Sequence, residues 1–301
     1  MPELPEVQTT VDGIQALVKG RVIVDVWTDM FSTSPIFKNS IKNKTYFKNV
    51  FRPRVLGKKI TGAKRRAKNI LVSLSGDVTV LIHMKMTGHI MYGKYDYHKK
   101  ENTWVPKAGQ KALLDPFNRF IHVVFILDNG HHLVLSDMRK FAKVMIVDEV
   151  VEKELESMGV EPLEKEFTKK VFLEKITKYP NAYIKTALMD QRLIVGIGNI
   201  YSDEILFTAK VLPNRKVSEV SDIELGHIYS NIAPILKSGI DFGGDSMSDY
   251  RNIYGEAGTF QGKHKAYRRT GLPCIRKNCT GKIKRLVINT RSAHFCPECQ
   301  K

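Results

Sequence analysis

All four cysteines of this 301-residue chain, Cys274, Cys279, Cys296 and Cys299, fall between residue 274 and the C-terminal end. A disulfide framework for a chain of this length would be spread along it, so the crowding calls for another explanation. The spacing is C-x4-C, sixteen intervening residues, then C-x2-C. Two such knuckles bring four thiolates around one tetrahedral Zn2+ from the turns of a β-ribbon. Disulfide pairing is the competing reading, and the tightness of Cys296-Pro297-Glu298-Cys299 together with a reducing compartment counts against it.

The rest of the chain changes period twice. Val7, Val11, Ile14, Leu17 and Val18 recur at helical spacing behind Pro5 and Glu6, which predicts an opening helix from Pro5 to about Arg21. From there to about residue 147 short β-rich runs take over, among them Val22–Val26, Ile70–Leu74, Val78–His83, Ile121–Leu127, His132–Leu135 and Lys143–Val147, parted by turns such as Ser75-Gly76-Asp77 and Asp128-Asn129-Gly130. These predict an antiparallel sandwich or barrel, with Tyr92–Pro116 as a long loop between strands. Beyond Val150 the pattern is helical, over Val151–Met158, Thr168–Lys178, Ile184–Met189, Asn199–Phe207 and Ile223–Lys237, before a glycine-bearing basic stretch, Phe242–Arg269, leads to the cysteines. The expected fold is α+β and multidomain: a helix and β-sandwich over 1–150, a helical domain over 151–265 and a ribbon over 266–301. A hydrophobic fraction of 43% is enough to give these domains real cores.

Charge narrows the partner. Lys and Arg number 48 against 31 Asp and Glu, a formal +17, and no apolar run is long enough to span a bilayer. The N-terminal sequence Met1-Pro2-Glu3-Leu4-Pro5-Glu6 is acidic where a secretory leader is basic. We therefore expect an intracellular protein that acts on nucleic acid and not on membranes. Lys58, Lys59, Lys64, Arg65, Arg66 and Lys68 crowd one stretch; they read either as a solvated strand edge or as phosphate contacts. Gly196-Ile197-Gly198-Asn199 between two helical runs reads either as a phosphate-binding helix start or as an ordinary turn. Removal of Met1 before the small Pro2 would expose a secondary amine. An α-amino group, at a pKa of about 7.7–8.0, is far more nucleophilic near neutrality than lysine. Glu3 and Glu6 flank it as candidate proton carriers.

Taken together, Met1-Pro2-Glu3-Leu4-Pro5-Glu6-Val7, Lys64-Arg65-Arg66-Ala67-Lys68, His83-Met84-Lys85-Met86-Thr87-Gly88, Asp137-Met138-Arg139-Lys140-Phe141, Gly196-Ile197-Gly198-Asn199-Ile200-Tyr201, Gly255-Glu256-Ala257-Gly258-Thr259-Phe260-Gln261 and the cysteine ribbon resemble the formamidopyrimidine-DNA glycosylase family. The motifs run in order over nearly the whole chain. The resemblance implies a helix-two-turn-helix fold for the helical domain. It also implies excision of oxidised purines, 8-oxoguanine and formamidopyrimidines, from duplex DNA by flipping the damaged nucleotide, then cleavage of the abasic site by β,δ-elimination.

By the same resemblance Pro2 is the nucleophile that forms a Schiff base, Glu3 the general acid and base, and Glu6 an acidic neighbour of the reaction centre. Lys68 lies near the lesion and its phosphates. Met86, Arg139 and Phe141 fill the space left by the flipped nucleotide. Lys185 and Asn199 contact the DNA backbone, Arg291 enters the minor groove from the ribbon, and Cys274, Cys279, Cys296 and Cys299 hold one structural Zn2+. The expected partner is double-stranded DNA carrying oxidised bases or abasic sites, engaged by a monomer. His83 and His294 are read as structural. Three departures stand out: the C-x4-C first knuckle where C-x2-C is usual, Ala142 where glycine commonly follows the phenylalanine, and a Tyr92–Pro116 stretch longer than usual. An endonuclease VIII-type enzyme acting on oxidised pyrimidines is the nearest alternative, disfavoured by Leu4, Met86, Arg139 and Phe141. A catalytically silent DNA-binding module is the other, disfavoured by Pro2 and Glu3.

Overall fold

The computed structural model describes residues 1–247 and 249–301; Ser248, within the glycine-bearing basic stretch Phe242–Arg269, lies outside the described residues. The chain forms two compact units, Met1–Leu155 with Phe242–Thr259, and Glu156–Asp241 with Phe260–Lys301. These cut the chain elsewhere than the three-part reading: Phe242–Thr259 returns to the first unit, and the helices share the second with the ribbon. Among the described residues no helix is long and apolar enough to cross a membrane.

In the first unit, helix α1 (Leu4–Leu17) opens with Pro5 in its first turn, and the Glu6 carboxylate accepts the N–H of Glu3 at 2.7 Å. That bond satisfies a donor which the helix start leaves without an intrahelical partner. Two four-stranded antiparallel sheets follow. One has the order β1 (Ile23–Thr28), β8 (Ile121–Leu127), β9 (His132–Ser136), β5 (His89–Gly93); the other has β10 (Lys143–Ile146), β4 (Val78–His83), β3 (Asn69–Leu74), β2 (Ile60–Arg66). Alternate residues of both sheets meet in one core, with Val26, Val123, Phe125 and Leu135 from the first sheet and Ile70, Val72, Ile82 and Val144 from the second. Val7, Val11 and Ile14 of α1 bury into the same core. The expected sandwich is present, and the basic stretch from Lys58 to Lys68 is mostly strand β2.

The long loop expected over Tyr92–Pro116 is instead ordered. Strands β6 (Tyr95–His98) and β7 (Thr103–Pro106) pair as a hairpin, and 3-10 turns follow at Lys111–Leu114 and Pro116–Arg119. Its strands are only four residues long, too short to show a period, and their alternate polar positions hid the pattern. The hairpin sets Tyr95 and Trp104 against Met91, Ile121, Val124 and Val134, the outer faces of β5, β8 and β9. Strand β8 is therefore buried on both sides, which accounts for its nearly unbroken apolar run.

The second unit is built around the helix Asn199–Ala209, in which Tyr201 through Phe207 are all buried. The helices Lys169–Ile176, Ile184–Met189 and Asp222–Asp241 belong to the same unit, as does a ribbon of β11 (Lys284–Ile288) and β12 (Arg291–Phe295). Phe207, Ala266, Cys274, Ile283 and Cys296 share one small core.

Trp104 fills the space between the hairpin and the sheet, so Trp104→Ala is expected to cost about 3–5 kcal/mol. Urea denaturation of the variant beside the parent measures it.

Candidate active site and nucleic-acid interface

At the head of α1, Pro2, Glu3 and Glu6 are all buried, with Glu3 2% and Glu6 1% exposed. The fold satisfies Glu6 from two directions. One carboxylate oxygen takes the Glu3 N–H, and the other takes the N–H of Asp245 at 2.8 Å. The Glu6 carbonyl accepts from the Tyr250 hydroxyl at 3.1 Å, and burial pushes that phenol well above its usual range. The segment Phe242–Thr259 is thus latched to the helix that begins with the candidate nucleophile.

Strand β2 ties into the same helix, since the Arg65 guanidinium donates to Gln8 Oε1 at 3.0 Å and Gln15 donates to the Ala63 carbonyl at 2.7 Å. The basic run is therefore divided in use. Arg65 and Arg66 donate to protein groups, Ala67 O and Leu155 O among them, whereas Lys64 is exposed. Lys68, 7% exposed, sits in the β2–β3 turn beside Ala67, whose φ is 55°. At the end of β4 burial drives His83 down to about 3, with the charges of Lys85 and Lys68 adding to the effect. The ring is neutral at physiological pH, and its Nδ1 accepts the Lys85 N–H at 2.9 Å. A structural role for His83 follows.

Met86, Arg139 and Phe141 occupy two turns that one buried carboxylate joins. Asp137 is fully buried; it accepts a short hydrogen bond from the Thr87 hydroxyl, the Ala142 N–H at 2.7 Å and the Arg139 N–H at 3.3 Å. These bonds hold the Met86 turn against the Arg139–Phe141 turn. Phe141 is 48% exposed and Arg139 lies over its ring, 4.3 Å from the centroid. A phenylalanine left in water under a guanidinium, beside an exposed Met138, is poised to stack on another flat, electron-rich surface. Burial and the charge of Lys143 push Lys85 below its usual range; burial also lowers Lys42, which donates to the Lys140 carbonyl at 2.6 Å. Positive charge is concentrated around these turns. The sequence reading assigned no role to Asp137 or Thr87, although both lie inside motifs it singled out.

In the second unit, Lys185 is 1% exposed and its ammonium is held by Asp203 at 2.6 Å, Ser202 at 2.8 Å and the Asn199 carbonyl at 3.2 Å. The other oxygen of Asp203 accepts both the N–H and Nδ1 of His294, at 2.9 and 2.8 Å. One carboxylate thus joins the Ile184–Met189 helix to the ribbon, and His294 is structural as expected. Glu204 next to it accepts the N–H groups of Lys265, Ala266 and Tyr267. Lys185, Asn289 and Arg291 line a hollow of about 290 Å3. Arg291 is exposed just past the ribbon's Asn289-Thr290 turn, where both residues have positive φ. Asn199 reaches Ser292 at 3.5 Å, and its Oδ1 is buried with no partner among the described residues. The Gly196 N–H is taken by Gln191, so the glycine turn spends one amide internally.

The four cysteine sulfurs lie within 4.8 Å of one another, with Cys274–Cys299 at 3.8 Å and Cys279–Cys296 at 3.6 Å. A tetrahedral zinc with Zn–S bonds of about 2.3 Å needs sulfur–sulfur edges of about 3.8 Å, whereas a disulfide brings its sulfurs to about 2.05 Å. Burial and the neighbouring sulfurs push the Cys299 thiol up to about 12, so a cation is needed for all four to ionise together. The donor set fits a zinc ion, the longer first knuckle included.

The chain's similarities agree with this geometry. Residues 1–144 match the formamidopyrimidine-DNA glycosylase N-terminal domain model and residues 158–251 the formamidopyrimidine-DNA glycosylase H2TH domain model. The formamidopyrimidine-DNA glycosylase of Pelotomaculum thermopropionicum is 35% identical over 306 residues, covering 100% of this chain and 99% of that protein; the Bacillus subtilis enzyme is 34% identical over 307 residues, covering 100% and 99%. Among solved structures, Lactococcus lactis Fpg in complex with abasic-site DNA superposes with a TM-score of 0.81 at 28% identity, covering 99% of each chain. The MutM (Fpg) protein of Thermus thermophilus gives 0.77 at 29%, covering 99% and 98%.

The Lys185–Asp203 pair has both side chains buried, so removing one charge strands the other. Asp203→Ala is expected to cost about 3–5 kcal/mol. Chemical denaturation checks this, and a loss under 1 kcal/mol would show the pair to be dispensable.

Proposed function

Because the chain belongs to the formamidopyrimidine-DNA glycosylase family, we propose that it removes oxidised purines, 8-oxoguanine and formamidopyrimidines, from duplex DNA and then cleaves the abasic site. The observation that carries this reading is the buried acidic pair Glu3 and Glu6 directly behind Pro2. Once Met1 is removed, the Pro2 nitrogen attacks C1′ of the deoxyribose; a carbon–nitrogen bond forms as the glycosidic bond breaks and the base departs with a proton. Glu3 donates a proton to the ring oxygen, which opens the sugar and leaves an iminium. That cation acidifies C2′ and then C4′: loss of the C2′ proton to Glu3 expels the 3′ phosphate, loss of the C4′ proton to water expels the 5′ phosphate, a carbon–carbon double bond forms each time, and hydrolysis frees the proline. Glu6 keeps Glu3 and the Phe242–Thr259 segment in register.

The first unit supplies the lesion contacts. Lys68 neutralises phosphate near the damaged nucleotide. Phe141 wedges into the stack, Met86 takes the void and Arg139 pairs with the orphaned base, all three supported by Asp137. In the second unit Asn199 and Arg291 meet the DNA backbone and minor groove. The three donors of Lys185 are already used within the protein, so it serves this contact by fixing Asn199. Residues 266–301 act as a distinct ribbon in this scheme. Cys274, Cys279, Cys296 and Cys299 hold one Zn2+, which cross-links the two knuckles and keeps Arg291 in place. Related Lactococcus lactis Fpg structures contain abasic-site DNA and Fapy-dG-containing DNA, which supports a duplex with such damage as the partner. A monomer acting where the cell's DNA lies completes the proposal.

Borohydride is expected to trap a covalent protein–DNA adduct on an 8-oxoguanine duplex, and an uncleaved extension ahead of Pro2, which leaves no free amine on that residue, to abolish it. An adduct that persists with that nitrogen blocked places the nucleophile elsewhere, and preferential cleavage of thymine glycol moves the enzyme to the pyrimidine branch. Metal analysis should give about one zinc per chain, falling with Cys296→Ser.

A further inference from the structure

The stretch Tyr92–Pro116, which the sequence presents as an over-long loop, and the turn Pro116–Arg119 that follows it make a set of contacts with Phe242–Thr259. Asn118 is 1% exposed, and its amide donates to the carbonyls of Ala112 and Gly255, each at 3.0 Å. With both amide hydrogens committed, its Oδ1 faces His89 Nε2 at 2.9 Å, and the ring supplies the donor. Burial depresses His89 to about 4, so the ring is neutral at physiological pH. Three residues earlier in the chain, Asp115 accepts from Arg251 Nε at 2.9 Å. The Arg251 guanidinium lies 4.7 Å from the centroid of the Phe117 ring and also donates to the Tyr250 carbonyl. Gly255, at φ +85°, sits so close that a Cβ there would stand 2.8 Å from both Asn118 Nδ2 and Leu113 Cδ2. The seat has no room for a side chain.

On its other side, the braced segment lies along α1. Ile253 packs where a Cβ on Gly13 would be 2.5 Å from its Cγ2, and the Asp245 N–H and the Tyr250 hydroxyl bond to Glu6. Arg251 adjoins Tyr250, so the Asp115 contact is one residue from the latch on Glu6.

We infer that Asp115 and Asn118 are positioning residues: they clamp Phe242–Thr259 against the head of α1, and through it govern removal of a damaged base more than scission of a site that has already lost its base. This rests on the proposed glycosylase reading, to which the family resemblance adds that the loop around Phe242–Phe260 covers the lesion. A baseless sugar gives the segment nothing to hold, while Pro2 and Glu3 remain in place on α1. The hairpin module acts as the fixed anchor, because Tyr95, Trp104 and Leu113 are packed into the outer face of the sheet.

The test uses the full-length protein with Asp115→Ala, Asn118→Ala and Gly255→Ala. Asp115 is the mildest change, since its side chain is partly exposed. In the free protein, amide exchange across 249–259 should rise about tenfold or more in each variant, while β3 and β4 keep their protection. On DNA, single-turnover excision of 8-oxoguanine should slow about tenfold or more, while nicking of a preformed abasic site stays within about twofold. Unchanged exchange overturns the clamp. Raised exchange with equal losses in both reactions, or with none, overturns the positioning role. A parent protein that binds the duplex yet excises no oxidised base overturns the functional reading instead, and the exchange measurement still decides the clamp.

Discussion

A carboxylate taken out of water must be given donors, and in this protein those donors are mainly backbone N–H groups, some from neighbouring residues and some from distant parts of the chain. Glu6 binds the amides of Glu3 and Asp245, Asp137 those of Arg139 and Ala142, Asp203 that of His294, and Glu204 three in succession from Lys265 to Tyr267. Each acid turns a loop with no period of its own into a fixed object. The head of α1, the Arg139–Phe141 turn and the approach to the ribbon are held this way. The geometry of the candidate site therefore depends on a few ionisable groups whose net cost of burial is offset only while every donor is in place.

That arrangement also separates two kinds of positive charge. Arg65, Arg66, Lys185 and Arg251 serve the fold and have their donors committed inside the protein. Lys64, Arg139 and Arg291 are exposed and available to a polyanion. Lys185 with Asp203 and Arg251 with Asp115 are neutral pairs, so the formal +17 is carried by the other charged groups.

Much of this was legible in the residues themselves. The cysteine spacing foresaw the four converging sulfurs, and β-rich runs bounded by turns located Val78–His83 and Ile121–Leu127 to the residue. What escaped was the hairpin over Tyr95–Pro106, whose strands are shorter than any period can reveal. The supporting acids Asp137 and Asp203 escaped as well, because a buried carboxylate has no local signature; its partners lie up to about ninety residues away. The return of Phe242–Thr259 to the first unit was hidden for the same reason, since Asn118 and Gly255 are 137 positions apart. Local pattern speaks for elements, and long-range hydrogen bonds decide how they are joined.

The aromatic cluster under the hairpin has an optical corollary. The chain contains two tryptophans, and Trp27 and Trp104 stand 6.1 Å apart, with Tyr97 and His132 around them. Ultraviolet-excited indole emission from this molecule therefore originates in a single spot on the sandwich. Its colour and intensity register the state of that spot, and the helical unit with its ribbon is dark at those wavelengths unless a tryptophan is placed there.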